Sequence, residues 1–182
     1  MNFCSHCGSN ALKFEIPAGD THHRFVCDAC GTIHYQNPRI IVGCIPIYEG
    51  KVLLARRAIE PREGLWNLPA GFLENGERAE EGARREVKEE TDALVEVVRL
   101  HTIFDLPEFN QVYLHFLAEM QAPHFASKTS ESLEVRLFEE KDIPWEEIAF
   151  ASTTFALQRY FENPTTENVH RGVFYKYKAK SL

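Results

Sequence analysis

Apolar runs and the polar breaks between them divide this chain near Gln36-Asn37-Pro38, because Asn-Pro interrupts regular structure. Beyond that break, Ile40–Ile45 is almost continuously apolar, which predicts a buried strand. Glu49-Gly50 has the composition of a tight turn, and Lys51–Arg56 that of the partner strand. The pattern therefore predicts a strand hairpin at the start of the longer part of the chain.

The same reasoning assigns the later elements. Extended segments are predicted at Leu94–Phe104, Gln111–Met120 and Glu134–Phe138, with a loop at Asp105–Asn110. A last helix, capped by Ser152, is expected to end near Phe161, and the tail Arg171–Lys180 alternates like an added strand. Cys44 and Trp66 are predicted core residues. Alternating strands and helices around a hairpin indicate an α/β fold with a small unit at 1–36 and one domain at 37–182.

Between the hairpin and the later strands, a Gly-bearing loop leads into an acidic segment with helical spacing. Since a helix turns about 100° per residue, Glu86 and Glu90 share one face with Ala83 and Val87, and Glu89 lies one step aside. By composition alone, a helix rich in Glu, Lys and Arg is typical of a solvated surface. Here, like charges four residues apart would repel beside small apolar residues, so a positive charge should lie against them.

Two kinds of positive charge fit this acidic face. Arg85 lies four residues before Glu89 and can also turn towards Glu77, but it cannot neutralise every carboxylate. Clusters of hard oxygen ligands suit Mg²⁺ or Mn²⁺. The spacing therefore predicts a divalent-cation site on this helix.

These residues resemble the Nudix box, G-x5-E-x7-R-E-U-x-E-E-x-G-U, in which U is a bulky apolar residue. The chain matches it at Gly71, Glu77, Arg85, Glu86, Val87, Glu89 and Glu90. It departs from the pattern at Asp92, which replaces the last Gly, and at Ala93, which is small for the final apolar position. Because Asp adopts the left-handed conformation more readily than most residues, activity is not excluded by this change. The resemblance implies a Nudix α/β/α sandwich with a mixed sheet.

The resemblance also implies roles for individual residues. The Mg²⁺ or Mn²⁺ ligands would be the Gly71 carbonyl, Glu86, Glu89, Glu90 and Glu134, with Glu131 as the alternative to Glu134. Glu77 would pair with Arg85 and complete the catalytic set, and the general base would be Glu89, Glu90, Glu131 or Glu134. Candidate substrate-binding residues are Arg56, Arg57, Phe104, Phe109 and Tyr113. The alternative is an exposed strand end for the two arginines and core packing for the three aromatic residues, while for Glu131 and Glu134 it is a surface salt bridge.

Four of the five cysteines form two pairs, Cys4-x-x-Cys7 and Cys27-x-x-Cys30, in the first 36 residues. Such pairs can present four thiolates to one tetrahedral zinc ion, and so short a segment has too little core to fold otherwise. Disulfides or a redox pair are the alternatives, but nothing in the sequence indicates an oxidising compartment. His6, His22, His23 and His34 are expected at the surface or facing substrate. The segment resembles the zinc ribbon of one Nudix branch, for which we expect a structural or dimerisation role.

The charge and composition of the chain disfavour several classes of binding partner. The net charge of −7 disfavours general nucleic-acid or anionic-membrane binding. The longest apolar run, Ile40–Tyr48, is too short to cross a bilayer, and no charged segment followed by an apolar one begins the chain, so a cytoplasmic protein is expected. A homodimer is a further expectation, with the tail as a candidate interface.

The resemblance implies metal-dependent hydrolysis of the pyrophosphate in a nucleoside diphosphate linked to another moiety, with release of AMP. Asp-Leu-Pro-Glu-Phe-Asn-Gln-Val-Tyr at 105–113 is similar to members that cleave ADP-ribose or FAD. Members that cleave NADH, some of them acting on NAD-capped RNA, carry an aromatic-proline segment that is missing here. The alternatives are therefore an NADH or NAD-capped RNA pyrophosphatase and a non-catalytic, nucleotide-sensing Nudix module.

Overall fold

The computed structural model describes residues 1–176, which form two compact units, Met1–Pro38 and the chain from Arg39 onward. Of the predicted tail strand at Arg171–Lys180, the last residues lie outside the described part of the chain. In that described part, neither helix is long and apolar enough to cross a membrane.

The first unit is a three-stranded antiparallel sheet. Its strands are β1 (Leu12–Glu15), β2 (Arg24–Cys27) and β3 (Ile33–His34), with β2 in the middle. The buried residues of the described unit include Cys4, Cys27 and His34, and Cys4 is close to both of the others. The unit thus has little apolar core, as expected for a segment of this length.

The second unit is built on an eight-stranded mixed sheet. Its strands are β4 (Arg39–Tyr48), β5 (Lys51–Arg57), β6 (Trp66–Asn67), β7 (Ala70–Phe72), β8 (Val95–Leu106), β9 (Gln111–Met120), β10 (Ser132–Phe138) and β11 (His170–Val173). The main order is β10-β5-β4-β9-β8-β11, with β6 paired to β5 and β7 to β4. The β4–β9 and β8–β11 pairs are parallel, and the other pairs are antiparallel.

Two helices cover the two faces of this sheet: α1 (Ala79–Thr91) and α2 (Ala151–Glu162). Ala83 and Val87 of α1 pack with Val42, Cys44 and Phe116 in one apolar cluster. On the other face, α2 contributes Ala156, Leu157 and Tyr160 to a second cluster, which contains Ile45, Leu54 and Trp66. The predicted α/β/α sandwich is therefore confirmed, and Cys44 and Trp66 are core residues as predicted.

The β4–β5 hairpin has the turn that its sequence predicts. Glu49 and Gly50 both have positive φ, 48° and 76°. Two consecutive left-handed residues match the right-handed twist of the flanking strands, and Gly adopts this conformation without steric cost.

Two local predictions were wrong. The Asp105–Asn110 segment is not an open loop, because β8 continues to Leu106 and a 3₁₀ turn at Pro107–Phe109 leads directly into β9. Ser152 does not cap α2, since the helix begins at Ala151 and the Ser152 hydroxyl is buried inside its first turn. The helix ends at Glu162, before Asn163-Pro164, close to where it was expected.

Two histidines are enclosed between the sheet and α2. The ring nitrogen Nε2 of His101 donates to the Ala156 carbonyl at 3.1 Å, and His115 pairs with the Thr102 hydroxyl. Burial lowers the pKa of His101 to about 4 and that of His115 to about 3. Both rings are therefore neutral in the folded protein.

We predict that His101 makes folding sensitive to acid. Its folded pKa lies below the unfolded value near 6.5, so the unfolded chain binds more protons and stability falls as pH drops from about 6.5 to about 4. At pH 5 the loss should be about 2 kcal/mol. Urea unfolding at pH 7 and pH 5 should therefore show a smaller pH dependence in His101→Gln, whose amide keeps a donor. An equal pH dependence in both proteins would contradict the prediction.

Candidate functional site

Helix α1 is fixed at both ends by local interactions. At its start, the Glu81 carboxylate accepts a hydrogen bond from the Arg78 backbone N–H at 3.0 Å. At its end, Asp92 has a φ of 60°, and its N–H donates to the Lys88 carbonyl at 2.9 Å. Asp92 thus takes the left-handed conformation expected of the residue that replaces the last Gly of the box.

The inward face of α1 carries the two carboxylates that the spacing predicted. Glu86 and Glu90 are each only 8% exposed, beside the buried Ala83 and Val87. Burial raises the pKa of Glu86, although Arg85 opposes this rise. Burial and then the repulsion of Glu86 raise the pKa of Glu90 to about 8. Two desolvated acids side by side are a strong reason to expect a function here.

Arg85 connects the acidic residues of the loop and the helix. Its guanidinium donates to Glu77 at 2.6 and 3.1 Å, to Glu86 at 2.6 Å and to Glu89 at 2.9 Å. A further bond at 3.1 Å reaches the Phe72 carbonyl. The bond from Arg85 lowers the pKa of Glu77. The predicted Glu77–Arg85 pair is therefore present, and it holds the loop against α1.

Gly71 lies directly against this cluster. A Cβ atom added there would collide with the Glu86 carboxylate. Gly71 is the middle residue of β7, whose pairing with β4 places the Gly71 backbone in the sheet beneath the helix. Only a glycine allows the backbone to approach the carboxylate so closely.

A third acid, in the segment before β10, affects the same two carboxylates through its charge. Glu131 is exposed, yet its charge raises the pKa of both Glu86 and Glu90. Glu134, the residue preferred from the sequence, lies on β10 opposite Arg56 of β5. The strand register shifts between Ser132 and Glu134, and such a bulge redirects side chains. Of the two acids named from the sequence, Glu131 is thus the one whose charge acts on Glu86 and Glu90.

The two arginines at the end of β5 have different surroundings. Arg56 donates to the Gly64 carbonyl at 2.7 Å, so its guanidinium supports a loop. Arg57 lies over the Phe150 ring, 5.2 Å from the ring centroid, and its charge lowers the pKa of Glu90. The Arg57 charge also lowers the pKa of the Tyr113 hydroxyl, which burial raises. Arg57 is thus close to Glu90, and Tyr113 is close to Arg57.

The two phenylalanines chosen from the sequence also differ. Phe104 is only 4% exposed and packs on Phe155 at 5.3 Å between ring centroids, which favours a core role. Phe109 is 46% exposed in the 3₁₀ turn between β8 and β9. Its ring remains available to a ligand.

Sequence reasoning missed Arg39 and Phe72. The Arg39 guanidinium lies over the Phe72 ring, 5.1 Å from the ring centroid. Its charge, like that of Arg57, opposes the rise in the pKa of Tyr113 that burial causes. Arg39 follows the Asn37-Pro38 break directly, and Phe72 follows the box glycine, but neither position suggests their pairing. Strand pairing of β4 with β7 and β9 brings them together.

The four cysteines of the first unit form a separate cluster. Their sulfur atoms all lie within 4.8 Å of one another, and the Cys4–Cys30 and Cys7–Cys27 distances are both 3.7 Å. Two ligands of a tetrahedral zinc ion with bonds of about 2.3 Å are about 3.8 Å apart, whereas a disulfide requires about 2 Å. The placement of His34 was predicted wrongly, because it is buried and its Nε2 lies 3.2 Å from the Cys4 sulfur. His6, His22 and His23 are exposed.

Comparisons with known proteins agree with this architecture. The family model described as NUDIX domain matches residues 37–158, and the one described as Nudix N-terminal, a zinc ribbon, matches residues 2–36. The crystal structure of a NUDIX hydrolase from Nitrosomonas europaea is 48% identical with a TM-score of 0.90, over 96% of this chain and 99% of that one.

Two curated relatives carry names of activities. An ADP-ribose pyrophosphatase from Methanocaldococcus jannaschii is 38% identical over 74 residues, which is 41% of this chain and 44% of that protein. The NAD-capped RNA hydrolase NudC from Vibrio vulnificus is 32% identical over 148 residues, 79% of this chain and 53% of that protein. The chain thus spans about half the length of these curated relatives.

We predict that Glu90 destabilises the metal-free protein. Its raised pKa means that the folded state keeps a proton that the unfolded chain loses, so stability falls as pH rises from about 4.5 to about 8. In EDTA at pH 8, Glu90→Gln should be more stable than the wild type by about 4 kcal/mol, and this difference should shrink to about 1 kcal/mol at pH 5. Urea unfolding at the two pH values tests this. A variant that is less stable at pH 8 would contradict it.

Proposed function

This chain belongs to the Nudix family, and from that premise we propose that it hydrolyses the pyrophosphate bond of a nucleoside diphosphate linked to another moiety, releasing AMP. ADP-ribose or FAD is the favoured substrate. The observation that carries the proposal is the pair of buried carboxylates Glu86 and Glu90, whose pKa values are both raised on the face of α1. A binding module has no need for such desolvated acids, whereas a metal-dependent hydrolase does.

The donor set fits Mg²⁺ or Mn²⁺. Glu86, Glu90 and the Gly71 carbonyl would hold the ion, with Glu89 and one acid of the β10 segment, Glu131 or Glu134, contributing. Two observations support this fit. The carboxylates carry more negative charge than the single guanidinium of Arg85 can neutralise, and the Gly71 backbone approaches Glu86 closely. When bound, a divalent cation neutralises phosphate oxygens and acidifies the attacking water.

The protein's own residues orient the reaction. Arg85 fixes Glu86 and Glu89 relative to the Glu77 loop through several charged hydrogen bonds, so the acids keep one arrangement. A carboxylate among Glu89, Glu90, Glu131 and Glu134 would accept the proton of the attacking water. The water oxygen then bonds to phosphorus as the bridging P–O bond breaks, which yields AMP and a second phosphorylated product.

Basic and aromatic residues support the proposed class of substrate. Arg57 and Arg39 would bind the pyrophosphate, while Phe72, Tyr113 and Phe109 offer rings to a base. The relative named ADP-ribose pyrophosphatase supports the favoured substrate. The relative named NAD-capped RNA hydrolase supports the alternative, an NADH or NAD-capped RNA pyrophosphatase. The tight 3₁₀ turn at Pro107–Phe109 favours ADP-ribose or FAD, because this part of the chain lacks the aromatic-proline segment.

Hydrolysis of ADP-ribose, FAD, NADH, NAD⁺, diadenosine polyphosphates and dNTPs with Mg²⁺ or Mn²⁺ tests the activity. We expect AMP from ADP-ribose or FAD, none in EDTA, and a loss of at least about a hundred-fold in kcat for Glu90→Gln, because even outer-shell changes at metal sites cost 10–100-fold. Glu146→Gln, an exposed change on the 3₁₀ turn before α2, serves as the control.

The other outcomes separate the alternatives. A preference for NADH favours the second substrate class. Full activity of Glu90→Gln rejects the site. If no compound is cleaved but one nucleotide raises the melting temperature, the protein is a sensor.

For the first unit, we propose a structural zinc ion held by Cys4, Cys7, Cys27 and Cys30, with His34 supporting Cys4 through a hydrogen bond. The ion would replace the apolar core that so small a unit lacks. A structural or dimerisation role of this ribbon, and a homodimer of the whole chain, stay predictions.

Metal analysis tests the zinc site. We expect about one zinc per chain, and almost none in Cys7→Ser, with faster proteolysis within residues 1–38, because binding and folding of such units are coupled. Cys44→Ala, which changes a buried cysteine of the other unit, should keep its zinc. Full zinc content in Cys7→Ser would exclude this ligand set.

A further inference from the structure

The hydroxyl of Thr129 is shared by three backbone groups. It donates to the Glu90 carbonyl at 3.2 Å and accepts hydrogen bonds from the N–H groups of Glu131, at 3.2 Å, and Ser132, at 3.1 Å. Thr129 is half-buried between α1 and β10. One side chain thus joins the end of the acidic helix to the segment that carries the third acid.

Two further contacts hold the same segment. The buried Ser132 hydroxyl also donates to the Glu90 carbonyl, at 2.8 Å, and the Glu131 carbonyl accepts from the Ala58 N–H at 2.9 Å. Glu90 lies in the last turn of α1, where helix carbonyls lack an intrahelical partner. The hydroxyl groups therefore satisfy the helix end and fix the backbone of Glu131 at the same time.

From these contacts we infer that Thr129 is a positioning residue that fixes the Glu131 backbone beside the end of α1 and thereby keeps the Glu131 charge near Glu86 and Glu90. This inference rests on the proposed function, because it assumes that the three acids act together. Glu131 is exposed and is repelled by the two other carboxylates when no cation is bound. Without a fixed backbone, its side chain would move away from the acidic face. Thr129 acts through Glu131 and does not itself contact a metal or substrate.

A set of matched variants separates positioning from folding. Thr129→Val keeps the shape but removes the hydroxyl, and Thr129→Ser restores it. Glu131→Gln removes the charge that Thr129 is inferred to position. Thr166→Val is the control, because Thr166 is also a half-buried threonine whose hydroxyl accepts from an N–H two residues later, that of Asn168.

Two readouts are needed: Mn²⁺ affinity from the electron paramagnetic resonance signal of the free ion, and kcat with the favoured substrate. We expect Thr129→Val to lose about ten-fold in each, the lower end of the effect of outer-shell changes at metal sites. Thr129→Ser should stay within about three-fold of the wild type, since the hydroxyl is restored. Thr166→Val should match the wild type. Thr129→Val combined with Glu131→Gln should be no worse than Glu131→Gln alone, because the positioned group is already lost.

The inference is overturned if Thr129→Val binds Mn²⁺ as tightly as the wild type, or if its loss adds fully to that of Glu131→Gln. These results can be told apart from failure of the proposed function. A wild type that cleaves nothing, but whose Mn²⁺ affinity falls equally in Thr129→Val and Glu131→Gln, rejects the activity and keeps the positioning role. A wild type that binds no Mn²⁺ rejects both.

Discussion

The repulsion between carboxylates that share one buried helix face is the constraint on which the site depends. Glu86 and Glu90 cannot both be charged at low cost beside Ala83 and Val87, and the raised pKa values express that cost. Arg85 offsets part of it by binding Glu77, Glu86 and Glu89 at once. In the proposed function, a divalent cation would bind to the remaining negative charge, because its binding would relieve a repulsion that folding has already imposed.

The rest of the fold keeps this arrangement in place. The β4–β7 pairing brings the Gly71 backbone under Glu86, and β5 carries Arg57 to the same edge. The segment before β10 is attached to the last turn of α1 through Thr129 and Ser132. The sheet thus supports the acidic residues of α1, the segment before β10 and the basic residue Arg57 at the end of β5. Functional groups held on regular elements keep their geometry better than groups on free loops.

The α2 side of the sheet has a different chemistry from the α1 side. There, the enclosed polar groups include two neutral histidines, which pair with a carbonyl and a hydroxyl, and apolar side chains pack on Trp66 and Leu157. Burial therefore lowers the pKa of the histidines on this side and raises the pKa of the carboxylates on the other, since it disfavours the charged form of either group. The two faces should respond in opposite directions to pH.

The sequence by itself determined the elements and the chemistry that depend on local spacing. The face shared by Glu86 and Glu90, the Glu49-Gly50 turn and the two cysteine pairs follow from helical rotation, backbone preference and ligand type. Only the tertiary structure decided which distant residues join them. Arg39 meets Phe72, Arg57 rather than Arg56 lies near Glu90, and His34 is buried beside Cys4. The charge of Glu131 acts on Glu86 and Glu90 from the segment before β10. These contacts depend on strand pairing, a register shift and burial, which spacing along the chain does not encode.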